Sequence, residues 1–263
     1  MMQLTRISPF AQGGLAELTL VTLPSGQQAL LRKLHATKVF RIREHLNFKR
    51  GVKIRAALTP NEYMIGSLGW GYDFLCPYEV IEYLPGDNLK IAFNSRNPML
   101  IQNRERVLKA CAMGLAHVHR SGYMHLDVKP ENFLCQFRGV PKVKLTDFDL
   151  AREADDHGPR PQMGTPAYMA PEQFRRKVSY KASDVFSFCV MAYQMFTNKM
   201  PFTGSTLKST LKRQASENVE APAPIESNPS MPESWNEVIV RGLAKRPENR
   251  LPDMEALLDL LSW

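Results

Sequence analysis

Residues 181–198, KASDVFSFCVMAYQMFTN, are apolar on nearly every face of the helix that their spacing describes. Such a helix has no side to give to water, so other elements must bury it. Candidates for that wrapping lie on both sides in the chain. NRERVLKACAMGLAHVHRSG (103–122) keeps a helical repeat and stops at a glycine, and ESWNEVIVRGLAKR (233–246) and PDMEALLDLLSW (252–263) are amphipathic. The chain after Asn94 is therefore expected to be mainly helical. The Pro-rich stretch 216–234 reads as a surface loop, since helices tolerate proline poorly beyond their first turn.

The first 90 residues have a different texture. LAELTLVTL (15–23) alternates, PSGQQ (24–28) is a turn, ALLRKL (29–34) is a second strand, and PYEVIEYLPGDN (77–88) is a strand running into a Pro/Gly/Asp/Asn break. A small sheet with one helix, followed by a helical part, predicts an α+β fold. With 263 residues and 44% hydrophobic content, the chain can bury one large core or two small ones. No internal repeat or low-complexity tail is present. There is no apolar run of 18 residues, and the first residues, MMQLTRISPFAQGG, lack the apolar centre of a signal peptide. A soluble, cytoplasmic protein with no attached sensor domain or membrane anchor is expected. Cys76, Cys111, Cys135 and Cys189 lie far apart without metal-site spacing and are expected to be reduced packing residues.

The net charge of +8 is concentrated between Arg32 and Arg55, where nine Lys or Arg accompany one acid, Glu44. The apolar residues of KVFRIREHLNFKRGVKIRAAL (38–58) recur at three- and four-residue spacings, which describes a basic amphipathic helix. Its basic face is either simply solvated, the favoured reading, or a docking surface for an acidic protein partner. Basic residues interleaved with aromatics are lacking, which argues against nucleic acid, and no membrane partner is expected.

The chemistry is concentrated in HLDVKPEN (125–132) and in DFD (147–149), which follows the apolar alternation of VKLTDF. Phosphoryl transfer requires such a set. Asp127 can accept the proton of an attacking hydroxyl, Lys129 can neutralise charge on the γ-phosphate, and Asn132 and Asp147 can hold Mg²⁺ between phosphates. Each residue alone would be weak evidence, and the joint spacing is strong.

These motifs resemble the eukaryotic-type protein kinases, in particular their bacterial Ser/Thr branch. HLDVKPEN is similar to the catalytic loop and DFD to the metal-binding DFG. MGTPAYMAPE (163–172) resembles the substrate-binding loop with its APE motif, SDVFSFCV (183–190) the buried helix, and RPENR (246–250) the site of a structural arginine. The resemblance runs from about Ile7 to Leu261. It implies a single bilobal domain over 1–263, with a β-rich lobe over about 1–86 and a helical lobe over about 87–263. It also implies ATP and Mg²⁺ as cofactors, nucleotide held between the lobes against the connector Glu82–Leu84, and a protein substrate. Lys129 and Thr165 are similar to the marks of Ser/Thr specificity. By the same resemblance Glu172 pairs with Arg250, and Asp184 holds the backbone at His125 and Leu126.

Several positions depart from the family pattern. The glycine loop reads AQGGLA, with Ala11 and Ala16 in place of its outer glycines and only Gly13 kept. Arg32 stands where the phosphate-binding lysine belongs, and Lys33 beside it turns to the opposite face of the strand. Leu30 replaces the small residue over the adenine and, with Leu18 and Leu134, narrows the base slot. Gly51 stands where a helix glutamate would pair with the lysine, and Glu44 lies about two turns away. Leu126 replaces the arginine that receives an activation-loop phosphate, and residues 150–164 contain no Ser, Thr or Tyr. Asp149 replaces the glycine of DFG, where it either restrains the segment or adds a third carboxylate near the metals. Two readings follow: a divergent Ser/Thr kinase with weak transfer from ATP to a protein hydroxyl, or a pseudokinase that serves as an interaction scaffold, with or without ATP.

Overall fold

The computed structural model describes residues 4–12, 14–158 and 165–261. Five antiparallel strands, β1 (Thr5–Gln12), β2 (Ala16–Thr22), β3 (Gln28–Leu34), β4 (Ser67–Asp73) and β5 (Cys76–Glu82), form one sheet in the order β1-β2-β3-β5-β4. Helix α1 (Ile42–Ala57) lies against β4 and β5. Strand β3 shows the period of two that a doubly covered strand requires. Ala29 and Leu31 join Val21 and Val80 on one face, while Leu34, on the other, packs with Ala16 against Phe48 and Val52 of α1.

The second lobe begins with β6 (Asp87–Asn88) and continues through α2 (Leu89–Asn94), α3 (Pro98–Gln102), α4 (Arg104–Arg120) and β7 (Tyr123–Met124). Strands β8 (Phe133–Gln136), β9 (Lys142–Leu145) and β10 (Arg152–Glu153) carry the chain past the site. Helices α5 (Pro171–Arg175), α6 (Lys181–Thr197), α7 (Leu207–Ala215), α8 (Pro224–Ser227), α9 (Glu233–Gly242) and α10 (Met254–Leu260) complete the lobe. The fold is α+β and bilobal. The four-residue helix α8 interrupts the loop expected over 216–234, and Pro224 sits at its start, where the missing N–H costs nothing.

Helix α6 is buried along nearly its whole length. Trp235 of α9 closes on it, with ring centroids 6.4 Å from Phe188 and 5.5 Å from Phe196. Glu172 takes two parallel hydrogen bonds from Arg250, each 2.8 Å, and a third of 2.6 Å from the Ser183 hydroxyl. A bidentate, fully bonded pair is the geometry in which a buried ion pair repays its desolvation. Cys111, Cys135 and Cys189 are buried thiols, and burial pushes Cys135 up to about 12. Among the described residues no helix is long and apolar enough to cross a membrane.

The lobes meet at Gly86, whose φ is +157°. A Cβ there would lie 2.1 Å from the Cys135 carbonyl oxygen, so only glycine lets the connector pass β8 this closely. The same pairing of Asp87 with Cys135 and Asn88 with Leu134 holds the catalytic segment beneath the sheet.

Candidate active site

The catalytic loop is positioned from below by α6. Asp184 accepts the backbone N–H groups of His125 (2.7 Å) and Leu126 (2.8 Å) and faces His119 Nε2 at 3.0 Å. Leu126 has φ +62° and Asp147 φ +60°, left-handed conformations that cost a non-glycine residue about 1–2 kcal/mol each. The charge-assisted bonds from Asp184 offset that cost at Leu126. His125 Nε2 lies 3.0 Å from the Thr146 carbonyl, tying the loop to the start of DFD.

Asp127 is buried, and its two oxygens are unequal. Oδ2 receives Asn132 Nδ2 at 2.9 Å and faces Lys129 Nζ at 2.8 Å, whereas Oδ1 has no hydrogen-bond partner. The Asn132 amide nitrogen also donates to the Asp127 carbonyl at 2.7 Å, which turns its amide oxygen away from Asp127. The Asp147 carboxylate is 39% exposed, and its Oδ1 accepts the Asp149 N–H at 3.4 Å. Burial opposes its ionisation, but Arg32, Arg55 and His125 outweigh that and lower its pKa.

Above this loop sits a cluster of five charges. Arg32 lies opposite Glu79 in the β3–β5 register, and its Nη1 donates to Glu79 Oε1 at 2.9 Å. Its Nη2 donates to Asp149 Oδ2 and lies 3.7 Å from Asp147 Oδ1. Arg55, 1% exposed, approaches the same Glu79 Oε1 at 3.0 Å. The two guanidiniums stack on rings from α1 and DFD, Arg32 on Phe48 at 4.7 Å and Arg55 on Phe148 at 5.1 Å. Burial pulls the Arg32 pKa down, but Asp149, Asp147 and Glu79 more than restore it, so the group stays charged. Asp149 is pushed up to about 6 by burial and, against the pull of Arg32, by Asp147.

Helix α1 is docked on DFD without using its one carboxylate, Glu44, which pairs with Arg41 at 3.5 Å. Arg50 donates through Nε to the Ala151 carbonyl at 2.9 Å and through Nη2 to the Asp149 carbonyl at 3.2 Å. A Cβ on Gly51 would lie 2.6 Å from the Phe148 carbonyl oxygen, so the position expected to lack a glutamate has no room for any side chain.

Leu18, Leu30, Leu84 and Leu134 gather in one apolar cluster with Ile65 and Ile81. Glu82 pairs with Lys144 at 2.8 Å and accepts the Gly66 N–H at 3.3 Å. Ala11 is exposed at the rim opposite Leu18, while the Ala16 methyl is committed to the core under α1. Gly13, like Met163 and Gly164 of the substrate-loop motif, lies outside the described residues.

Residues 19–260 match the family model for the protein kinase domain. The chain belongs to the protein kinase family. Among its relatives, the serine/threonine-protein kinase PknL of Mycobacterium tuberculosis is 34% identical over 201 residues, which cover 75% of this kinase domain and 49% of PknL. PrkC of Bacillus subtilis, another serine/threonine-protein kinase, is 29% identical over 216 residues, 80% of this kinase domain and 32% of PrkC. The probable serine/threonine-protein kinase PknB of Bifidobacterium longum is 31% identical over 179 residues, 66% of this chain and 25% of its own. The kinase chain thus spans between a quarter and a half of these relatives' lengths.

The basic stretch 32–55 divides between the interior and the surface. Arg32 and Arg55 are buried in the charge cluster, Arg50 is bonded to DFD, and Lys33 is paired with Asp73 at 2.6 Å on the far side of the sheet. Arg41, Arg43 and Lys53 remain exposed, as the solvated-face reading of the helix expects. The helix indeed lacks a carboxylate for Arg32, but a strand supplies one. Glu79 and Arg55 were not singled out by the sequence. Their signal was a charged residue at an inward position of PYEVIEYL and an arginine in register with Phe48 and Gly51/Val52 on α1. Asp149 is buried and bonded to Arg32 Nη2, the nitrogen that also lies 3.7 Å from Asp147.

The Arg32 nitrogen nearest Asp147 is the one that donates to Asp149, so a phosphate anchored by Arg32 would compete with that carboxylate. Asp149→Gly, which removes the competitor, is expected to tighten nucleotide binding by about three- to tenfold, the scale of one exposed-to-buried charge contact. Titration with a fluorescent nucleotide measures this, and weaker binding in the variant would show that Asp149 assists rather than competes.

Proposed function

We propose that this domain is a divergent Ser/Thr protein kinase that transfers the γ-phosphoryl group of ATP to a protein hydroxyl, with Mg²⁺. The observation that carries the reading is the asymmetry of Asp127: one oxygen is held by Lys129 and Asn132, and the other is buried without a partner. An unpaired buried acceptor costs about 1–3 kcal/mol, and a substrate hydroxyl would satisfy it. In that position Asp127 Oδ1 takes the hydroxyl proton as the oxygen attacks, while Lys129 stays beside Oδ2 to offset charge at the γ-phosphate.

The residues fit the nucleotide and its metal. ATP·Mg²⁺, when bound, supplies the electrophilic phosphoryl group and neutralises its charge. Asp147, half-exposed, and Asn132, whose amide oxygen is turned away from Asp127, would hold the metal. Among the described residues no group of three or more His, Cys, Asp or Glu could hold a metal ion alone. One carboxylate and one amide suit Mg²⁺, which draws its other ligands from phosphates and water. Arg32 would contact phosphate through Nη2, and the leucine cluster would border the base. A planar guanidinium places a phosphate less tightly than a lysine ammonium would, and misplacement lowers rate more than affinity. Slow transfer follows.

Relatives named as serine/threonine-protein kinases support a protein hydroxyl as acceptor. Activity does not require a phosphate on residues 150–164, which carry no hydroxyl; Arg152 instead meets Asp156 of the same segment at 3.6 Å. The deciding experiment is nucleotide binding with and without Mg²⁺, followed by transfer of labelled phosphate. Metal-assisted binding is expected, and Asp147→Asn should weaken the Mg²⁺-dependent part by about tenfold or more. Binding that ignores the metal, or none, together with no transfer, would leave the scaffold reading instead.

A further inference from the structure

We propose that Glu79 on β5, held by Arg55 of α1, is the positioning residue for Arg32. It does from the neighbouring strand what a helix carboxylate would do for a phosphate-anchoring lysine. The inference rests on the kinase reading above. Gly51 leaves no room for a helix side chain, because its Cβ would meet the Phe148 backbone at 2.6 Å. Glu79 instead faces Arg32 directly across the β3–β5 ladder and accepts Nη1 at 2.9 Å, with both groups buried. Nη1 is thereby fixed on the sheet side, which leaves Nη2 at the metal end of the site, donating to Asp149 and 3.7 Å from Asp147.

The charges of the cluster are balanced as a set. Two guanidiniums, Arg32 and Arg55, face three carboxylates, Glu79, Asp147 and Asp149. The net of one negative charge is the same that one lysine, one glutamate and one aspartate would give. Arg55 and Asp149 are thus an added pair that leaves the net charge of the cluster unchanged.

The bonding within the cluster is poor for a purely stabilising device. Glu79 Oε2 and Arg55 Nε have no hydrogen-bond partner, and Arg55 Nη1 meets Glu79 at ion-pair distance without a hydrogen bond. Buried ion pairs that serve stability alone need full bonding to repay desolvation, as the Glu172–Arg250 pair here has. What the cluster achieves is orientation of Arg32. Because a ladder rather than a helix supplies the carboxylate, the anchor is assembled whenever the sheet is, and α1 contributes through Arg55 only as a clamp.

The test measures ATP·Mg²⁺ affinity, KM and kcat together with Tm for the wild-type chain, Glu79→Gln, and the double variant Arg55→Gln/Glu79→Gln. The double variant removes one charge of each sign and leaves neither buried alone, so it should fold even if the single variant does not. Both are expected to bind ATP·Mg²⁺ about tenfold more weakly and to lose about a hundredfold in kcat/KM, since a misaimed anchor affects the transition state more than binding. In an Arg32→Met background the Glu79 change should alter affinity by less than about twofold, the sign of coupled neighbours. A fall in Tm with affinity and kcat unchanged, or an equal loss with Arg32 absent, would overturn the assignment and leave Glu79 structural. A wild-type chain that binds no ATP would fail differently: it would overturn the kinase reading itself, before any variant is compared.

Discussion

Asp127→Asn is expected to lower the phosphotransfer rate by about 10²- to 10⁴-fold, the usual contribution of a positioned general base, while the melting temperature moves little. The structure separates the two effects. Oδ2 carries the contacts that matter for the fold, from Asn132 at 2.9 Å and Lys129 at 2.8 Å, and an amide oxygen in that place can accept both. The amide nitrogen then replaces Oδ1, which receives no hydrogen bond and so loses none. It can donate to a hydroxyl oxygen but cannot take its proton. Lys129 gives up its charge partner, but the side chain is 18% exposed and can turn to water. Initial rates of labelled phosphate transfer and scanning calorimetry check the two halves. Undiminished transfer would mean that Asp127 is not the base or that another kinase is in the preparation.

Restoring the carboxylate that the family pattern would place at position 51 should damage this protein rather than activate it. Gly51→Glu puts a Cβ within 2.6–2.9 Å of three backbone atoms of Phe148 and Asp149, none of which can rotate away. Relief requires α1 to withdraw from DFD, which breaks the Arg50 bonds to Ala151 and Asp149 and pulls Arg55 from Glu79. Overpacking alone costs about 1–3 kcal/mol, and an unpaired arginine left in the interior adds about as much again. A loss of about 3 kcal/mol or more in unfolding free energy is expected, with transfer reduced below detection. Gly51→Ala carries the first part of this cost without the new charge and should lie between wild type and the glutamate variant. Denaturant titration of the three proteins measures the series, and a Gly51→Glu protein as stable and active as wild type would show that α1 moves freely on this site.

The catalytic loop was legible because it is local. His125, Asp127, Lys129 and Asn132 fall within eight residues, and a turn that short brings their side chains together whatever the rest of the chain does. Asp184 and the Glu172–Arg250 pair are distant in sequence, yet they are foreseen by resemblance because each sits in a motif with its own residue pattern. The helical lobe was legible from composition and period, since residues 181–198 had to be enclosed. That Leu18, Leu30 and Leu134 come together was foreseen by resemblance.

What surrounds Arg32 was not legible. Its partners lie 47 and 117 residues away, at Glu79 and Asp149. Alternation tells which face of a strand a residue takes, but not which residue the ladder sets opposite it. That depends on the register of β3 against β5, fixed by turns and cores elsewhere. The inward turn of Arg50 and Arg55 was hidden for the same reason. Alternation sets Lys33 opposite Arg32, but it does not tell which basic residues of the helix find partners inside. Packing sends Arg32 and Arg55 inward to one carboxylate, Lys33 outward to Asp73, and Arg50 to the DFD backbone. The sequence determined which groups could do the chemistry, because their identity and local spacing are covalent facts. The tertiary structure alone decided how the anchoring cation is held, because a charge finds its partner only after packing has chosen its neighbours.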